Sequence, residues 1–266
     1  ATAPSPRRAR MLLAEKGVAH ATVPVDLARG EQLGEAFRAL NPACTVPVLR
    51  TDDGLTLTDN AAIAAWAEAR FPQPPLMGST PAEKTQLILA EAQLLREAGR
   101  SDEAYALLET SLAKQPDNPE LLYETALTAE RQGKPQVLEK HLKHLLKLKP
   151  DHAHALNALG YSLAERNTRL AEAHKLISQA LALAPQDPFI MDSMGWVLFR
   201  QGKLPESLKT LEAAYGIKAD PEIAAHLGEV LWTMGRKDDA SRIMNEAAKK
   251  FPDNEVLASA LKKFQP

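Results

Sequence analysis

The strongest constraint in this sequence is a period. Glycines at positions 99, 133, 202 and 235, with Asn167 in the middle slot, are separated by steps of 34, 34, 35 and 33 residues. Prolines close the same units at Pro116, Pro150, Pro185 and Pro252, with Ala219 in one slot. Between these breakers the chain reads as amphipathic helices of roughly 12–15 residues, two per unit, separated by short turns. A chain that repeats itself on this scale folds as a stacked array, each unit burying its apolar face on its neighbours.

A second periodic signal agrees with the first. A small residue recurs in the first helix of the unit at Leu159-Gly160, Met194-Gly195 and Leu227-Gly228, and more weakly at Thr125-Ala126. In the second helix a small residue follows five positions after the turn glycine, at Ala104, Ser207 and Ala240. Small side chains at both sites let the two helices cross closely. Together these positions resemble the tetratricopeptide repeat (TPR) family. The resemblance implies a mostly α fold, a right-handed α-solenoid of helix pairs, over residues 85–266. Five repeats fit, at 85–118, 119–152, 153–187, 188–220 and 221–254, and residues 255–264 form an amphipathic capping helix.

Composition narrows the function classes. The chain has 266 residues, 32 basic against 34 acidic, so no strongly basic surface points to nucleic acid. No apolar run is long enough to span a bilayer. Cys44, the one cysteine, cannot form an internal disulfide. The pairs His141/His144 and His152/His154 lack further ligands at metal spacing, so no metal is expected. No phosphate loop, HExxH or serine-nucleophile pattern is present. With no signal peptide in the sequence as it stands, the expected location is cytoplasmic.

The first 84 residues have a different texture. HATVPVDL (20–27), VPVLRT (46–51) and LTLTD (55–59) have strand character, with Asp52-Asp53-Gly54 as a hairpin turn. Arg8 to Gly17 reads as a helix with Lys16 in its last turn, and Asp59 or Asn60 would cap a helix running to about Arg70. APSPRRARMLLAEKG, LNPACTVPVL and DDGLTLTDNAAIAAWAEARFPQPPL occur in the order found in the N-terminal half of bacterial glutathione transferases, which they resemble. That resemblance implies a small, incomplete α/β thioredoxin-like segment over residues 1–84, lacking its first strand. It also implies glutathione as ligand, held by a cis Val46-Pro47 pair and by Asp59 and Asn60, with Ser5 near the thiol. The whole chain is then a fusion of two unlike parts.

Chemistry in the repeat half is limited to binding. In TPR arrays the inner wall comes from the first helix of each repeat. Those slots hold Tyr123, Glu124, Leu127 and Arg131; His154, Asn157, Tyr161 and Glu165; Phe189, Asp192, Trp196, Phe199 and Arg200; and His226, Glu229, Trp232 and Thr233. Aromatics are only 5% of the chain, yet they gather here. Aromatics and arginine flanked by hydrogen-bonding groups suit a peptide groove. The expected contact residues are Tyr123, Arg131, Asn157, Tyr161, Trp196, Phe199, Arg200, His226 and Trp232. The expected function is a non-enzymatic protein-interaction scaffold. Repeats three and four also resemble proteobacterial outer-membrane TPR lipoproteins, some of which deliver substrates to a periplasmic protease. That implies a protease, its substrates or an assembly machine as partner, and the periplasmic side of the outer membrane for this half. The alternative is a glutathione-dependent enzyme that uses the repeats as a targeting arm.

Overall fold

The computed structural model describes residues 4–76, 78 and 80–264, the side chains of residues 4 and 5 excepted. The chain divides into two units, residues 1–87 and 88–266.

In the first unit, helix α1 (Pro4–Glu15) packs on helix α3 (Asn60–Arg70). Their buried residues are Ala9 and Leu13 on one side and Ile63, Ala64 and Ala67 on the other. Gly17, at a φ of 65°, ends α1 with the backbone bonds Gly17 N to Ala14 O and Val18 N to Leu13 O. Lys16 does not face solvent beside the helix terminus. Its ammonium is buried, donates to the carbonyls of Phe71 (2.9 Å) and Pro74 (2.6 Å), and pairs with Glu68 at 2.9 Å. It thereby ties the end of α1 to the end of α3.

The sheet is smaller than its sequence signals. A short helix α2 (Glu35–Leu40) follows a 3₁₀ turn at Glu31–Leu33. Strands β1 (Leu49–Arg50) and β2 (Thr56–Leu57) then pair antiparallel, Leu49 opposite Leu57 and Arg50 opposite Thr56. The turn between them closes on Thr51, whose hydroxyl also meets Asp53. Residues 20–27, expected as a strand, are not one. Among the described residues the backbone of 19–25 makes no hydrogen bond, and Val23 is 82% exposed. Alternation of apolar residues marks strand propensity, but only a neighbouring strand can satisfy the backbone groups that make it a strand.

The second unit is an α-solenoid of helix pairs. Helix α4 (Pro81–Glu97) and α5 (Ser101–Lys114) lead into α6 (Pro119–Arg131) with α7 (Pro135–Leu148), and α8 (Ala153–Glu165) with α9 (Leu170–Leu183). Then come α10 (Pro188–Arg200) with α11 (Leu204–Ile217), α12 (Pro221–Thr233) with α13 (Lys237–Lys250), and α14 (Glu255–Phe264). Side chains of Asn118, His152, Asp187 and Asp220 cap α6, α8, α10 and α12 by accepting from the first free N–H groups. Proline sits in the first turn of α6, α10 and α12, where no N–H partner is lost.

The small-residue signal has a measurable cause. A Cβ at Gly160 would lie 2.6 Å from Ile177 Cγ1, one at Gly195 2.5 Å from Leu211 Cγ, and one at Gly228 2.6 Å from Met244 Cγ. Glycine thus lets each first helix approach its second helix. Three successive hydrophobic clusters fill the array, the last closed by Leu257, Leu261 and Phe264 of α14.

Candidate interaction wall

The first helices of successive pairs touch one another: α6 meets α8, α8 meets α10, and α10 meets α12. Their shared face is therefore a continuous wall, and the helical period places the sequence-selected residues along it.

At the centre of this wall is Trp196, only 4% exposed. His226 of α12 stacks on the indole with ring centroids 4.3 Å apart and planes 22° apart. Phe199 stacks within the same group at 5.1 Å, and the Arg200 guanidinium lies 4.9 Å from the Trp196 ring. The indole N–H donates to Glu165 Oε2 at 2.7 Å, which links α10 to α8. Arg200 adds a second link by donating to the Glu165 carbonyl at 2.7 Å.

Beneath the stack, His226 Nδ1 lies 2.9 Å from both carboxylate oxygens of Asp192, and both residues are buried. Burial of the imidazole works against its charge. Asp192, with Glu165 and Glu222 further off, outweighs that cost and holds the His226 pKa above the ordinary value. Tyr161 of α8 borders the same group, 6.1 Å from the His226 ring. Burial, reinforced by Glu165, Asp192 and Glu222, pushes its phenol far upward, so it stays protonated.

The expected contact residues therefore fall into two sets. Tyr161, Phe199, Arg200, Tyr123 and Asn157 are half-buried and present part of their surface, and Arg131 is exposed. Asn157 Oδ1 and Arg200 Nε are buried atoms without a hydrogen-bond partner among the described residues. Trp196 and His226 correct the expectation: their rings are consumed by packing between repeats and offer almost no surface. Trp232 is partly covered, with its ring 5.3 Å from that of Phe264 in α14. Tyr123 leans on His152 at 5.4 Å.

Elsewhere, His141 lies 3.7 Å from Glu109, and His144 lies 2.9 Å from Asp117. Among the described residues no cluster of three or more histidine, cysteine, aspartate or glutamate side chains could hold a metal. No described helix is long and apolar enough to cross a membrane.

In the first unit, the Val46-Pro47 peptide bond is cis, Val46 is half-buried and Pro47 is buried. Asp59 caps α3, its Oδ1 accepting from Ala62 N at 2.8 Å, and Asn60 opens that helix, half-buried. The Ser5 side chain lies outside the described residues.

Sequence reasoning missed the Asp192–His226 pair, although a signal for it existed. The two residues stand 34 positions apart, one more than the 33-residue offset between α10 and α12, so a carboxylate and an imidazole fall in adjacent slots of successive repeats. Glu229 and Lys263 share that separation and pair at 2.5 Å.

Known proteins match both parts. The glutathione S-transferase N-terminal domain family matches residues 2–70, and tetratricopeptide repeat families match 89–137, 139–188 and 198–264. The TPR repeat-containing protein PA4667 of Pseudomonas aeruginosa is 43% identical over 144 residues, which is 54% of this chain and 24% of that protein. A maleylacetoacetate isomerase of the same organism is 41% identical over 81 residues, 30% of this chain and 38% of the isomerase. The chain thus spans well under half of either relative. Among solved structures, TTC0263, a thermophilic TPR protein of Thermus thermophilus, aligns with a TM-score of 0.59 and 27% identity, over 66% of this chain and 98% of that one. Pseudomonas aeruginosa pilF aligns at 0.53 and 18% identity, over 70% of this chain and 93% of that one, a likeness of fold.

Proposed function

Since this chain carries tetratricopeptide repeats behind a segment of the glutathione S-transferase N-terminal type, we propose that it is a protein-interaction scaffold holding a segment of another protein along the wall of α6, α8, α10 and α12. One observation carries the reading. Tyr161, Phe199 and Arg200 present partly exposed aromatic and cationic surface over a rigid, buried base formed by Trp196 and His226. Such preorganised aromatic and arginine groups lower the entropy lost on binding.

Photocrosslinking tests the reading directly. A photoreactive phenylalanine analogue at position 199, on the wall, is expected to join the partner in a proteobacterial extract. The same group at position 213, exposed on α11, is expected to join nothing specific. Equal capture from both positions, or capture only from 213, refutes the wall as the binding face. The finer reading, delivery of the bound protein to a protease or assembly machine, rests on the resemblance to adaptor lipoproteins. It requires that the crosslinked species include such a machine or its substrates.

The family match over residues 2–70 supports a second reading, glutathione binding by the first unit. Against catalysis by this route, the Asp59 carboxylate already caps its own helix and the expected strand at 20–27 is unpaired. Calorimetry with millimolar glutathione decides it, and no heat of binding removes the reading.

A further inference from the structure

The buried Asp192–His226 pair has further carboxylates near it at the surface of the wall. Asp192 from α10 is buried against the His226 imidazole, and the exposed carboxylates of Glu165 on α8 and Glu222 on α12 add weaker attraction from further off. Asp192 touches it, and Glu165 is tied to it through the indole of Trp196. We propose that His226 is a proton-operated tie between successive repeats, drawing α8, α10 and α12 together when charged and letting this stretch of the solenoid loosen when neutral.

The physical argument is one of charge balance: Asp192 and His226 meet at low dielectric, while Glu165 and Glu222 reach solvent and contribute less. A charged imidazole is the counter-ion that the converging carboxylates share. When it loses its proton, Nδ1–H can still donate to Asp192, but attraction to all three carboxylates disappears and their mutual repulsion remains. Other groups around α12 do not replace it. Arg200 is committed to the Glu165 carbonyl and the Trp196 face, and the Tyr161 hydroxyl is neutral. From α14, Lys263 binds Glu229 one turn further along. From α13, Lys237 lies over Trp232, and after α11 Lys218 pairs with the Asp220 cap. The tie spans neighbouring repeats, so it acts on the angle between them, which sets solenoid curvature.

The experiment is an imidazole NMR titration of the full chain, with His226 identified by the signal lost in His226→Gln. The tie predicts a midpoint above the ordinary 6.5. It also predicts that Asp192→Asn lowers that midpoint by about one pH unit or more. Should Asp192→Asn not fold, Glu222→Gln, at an exposed position, is expected to give a smaller shift in the same direction. Hydrogen exchange, corrected for intrinsic rates and measured on both sides of the midpoint, is expected to show α10 and α12 losing protection relative to α6 and α7 as His226 becomes neutral. A midpoint at or below 6.5, a midpoint indifferent to these substitutions, or uniform exchange overturns the proposal. All of these readouts are independent of any partner, so their failure leaves the interaction wall standing.

Discussion

Asp192 and His226 stand 34 residues apart in sequence, yet His226 Nδ1 sits 2.9 Å from both oxygens of the Asp192 carboxylate inside the wall. One repeat period in sequence has become one hydrogen-bonded contact between α10 and α12. The pair also supports the Trp196 ring, so its loss reaches the surface that Phe199 and Arg200 present.

Removing one partner of this pair leaves the other buried without compensation. Asp192→Ala is expected to cost about 3–5 kcal/mol. A double replacement of both residues by leucine is expected to cost much less than the sum of the single changes, because no buried charge is stranded. Chemical denaturation of the four species in a mutant cycle measures this.

The pH dependence has a definite sign. Net of burial and the attraction of Asp192, the His226 pKa is raised in the folded state, so its contribution is complete below the unfolded value near 6.5. It is lost as pH rises through the folded pKa. His141 acts oppositely: burial, aided by Lys140, lowers its pKa, so it destabilises the fold as pH falls below 6.5. Denaturation at a series of pH values is expected to show His226→Gln reducing the alkaline loss and His141→Gln reducing the acid loss, to which His152 and His174, also lowered by burial, contribute.

Gly195 sits at a close helix crossing and Gly216 does not, so the two can be compared directly. Gly195→Ala places a Cβ 2.5 Å from Leu211 and is expected to destabilise by about 1–3 kcal/mol through overpacking. Gly216→Ala, in the last turn of α11 with nothing within 4 Å, is expected to be neutral or to gain up to about 1 kcal/mol from helix propensity. Thermal melts followed by circular dichroism separate the two.

Lys16 holds the first unit together from inside. Lys16→Met keeps the apolar stem but leaves Glu68 without its cation and the carbonyls of Phe71 and Pro74 without this donor. Glu68 is part-exposed and still accepts from Leu76 N, so a cost of about 1–3 kcal/mol is expected for the lost charge-assisted hydrogen bonds. Hydrogen exchange is expected to quicken in α1 and α3 while α6 to α13 stay unchanged. Arg29→Ala, which removes an exposed ion pair with Asp26, is expected to change nothing measurable.

Replacing Phe264 by alanine uncovers the Trp232 ring that it meets at 5.3 Å. The tryptophan emission is expected to shift to the red and α14 to exchange faster, with the earlier repeats unaffected. An unchanged spectrum would mean that Phe264 does not shield that ring.

Much of the architecture was legible before folding. The turn residues Gly99, Gly133, Asn167, Gly202 and Gly235, and the small residues at 160, 195 and 228, mark requirements that each repeat imposes on itself. A left-handed turn and a close helix crossing admit few side chains, so composition at those sites reports geometry. The segment 20–27 shows the limit of such reasoning, because its strand propensity is local and a strand's hydrogen bonds are not.

The period, the helix pairs, their capping and the face on which the aromatic residues gather are all written in the order of residues. Which of those aromatics remain available was settled by packing in three dimensions. Trp196, Phe199 and His226 all occupy inner-wall slots, yet Trp196 and His226 are sealed and Phe199 keeps part of its surface. Lys16 likewise looks like an ordinary residue of a last helical turn and is a buried tie. The physical reason is that local propensity acts within a turn of helix, whereas burial and charge pairing depend on side chains brought together by chain segments about one repeat or more away.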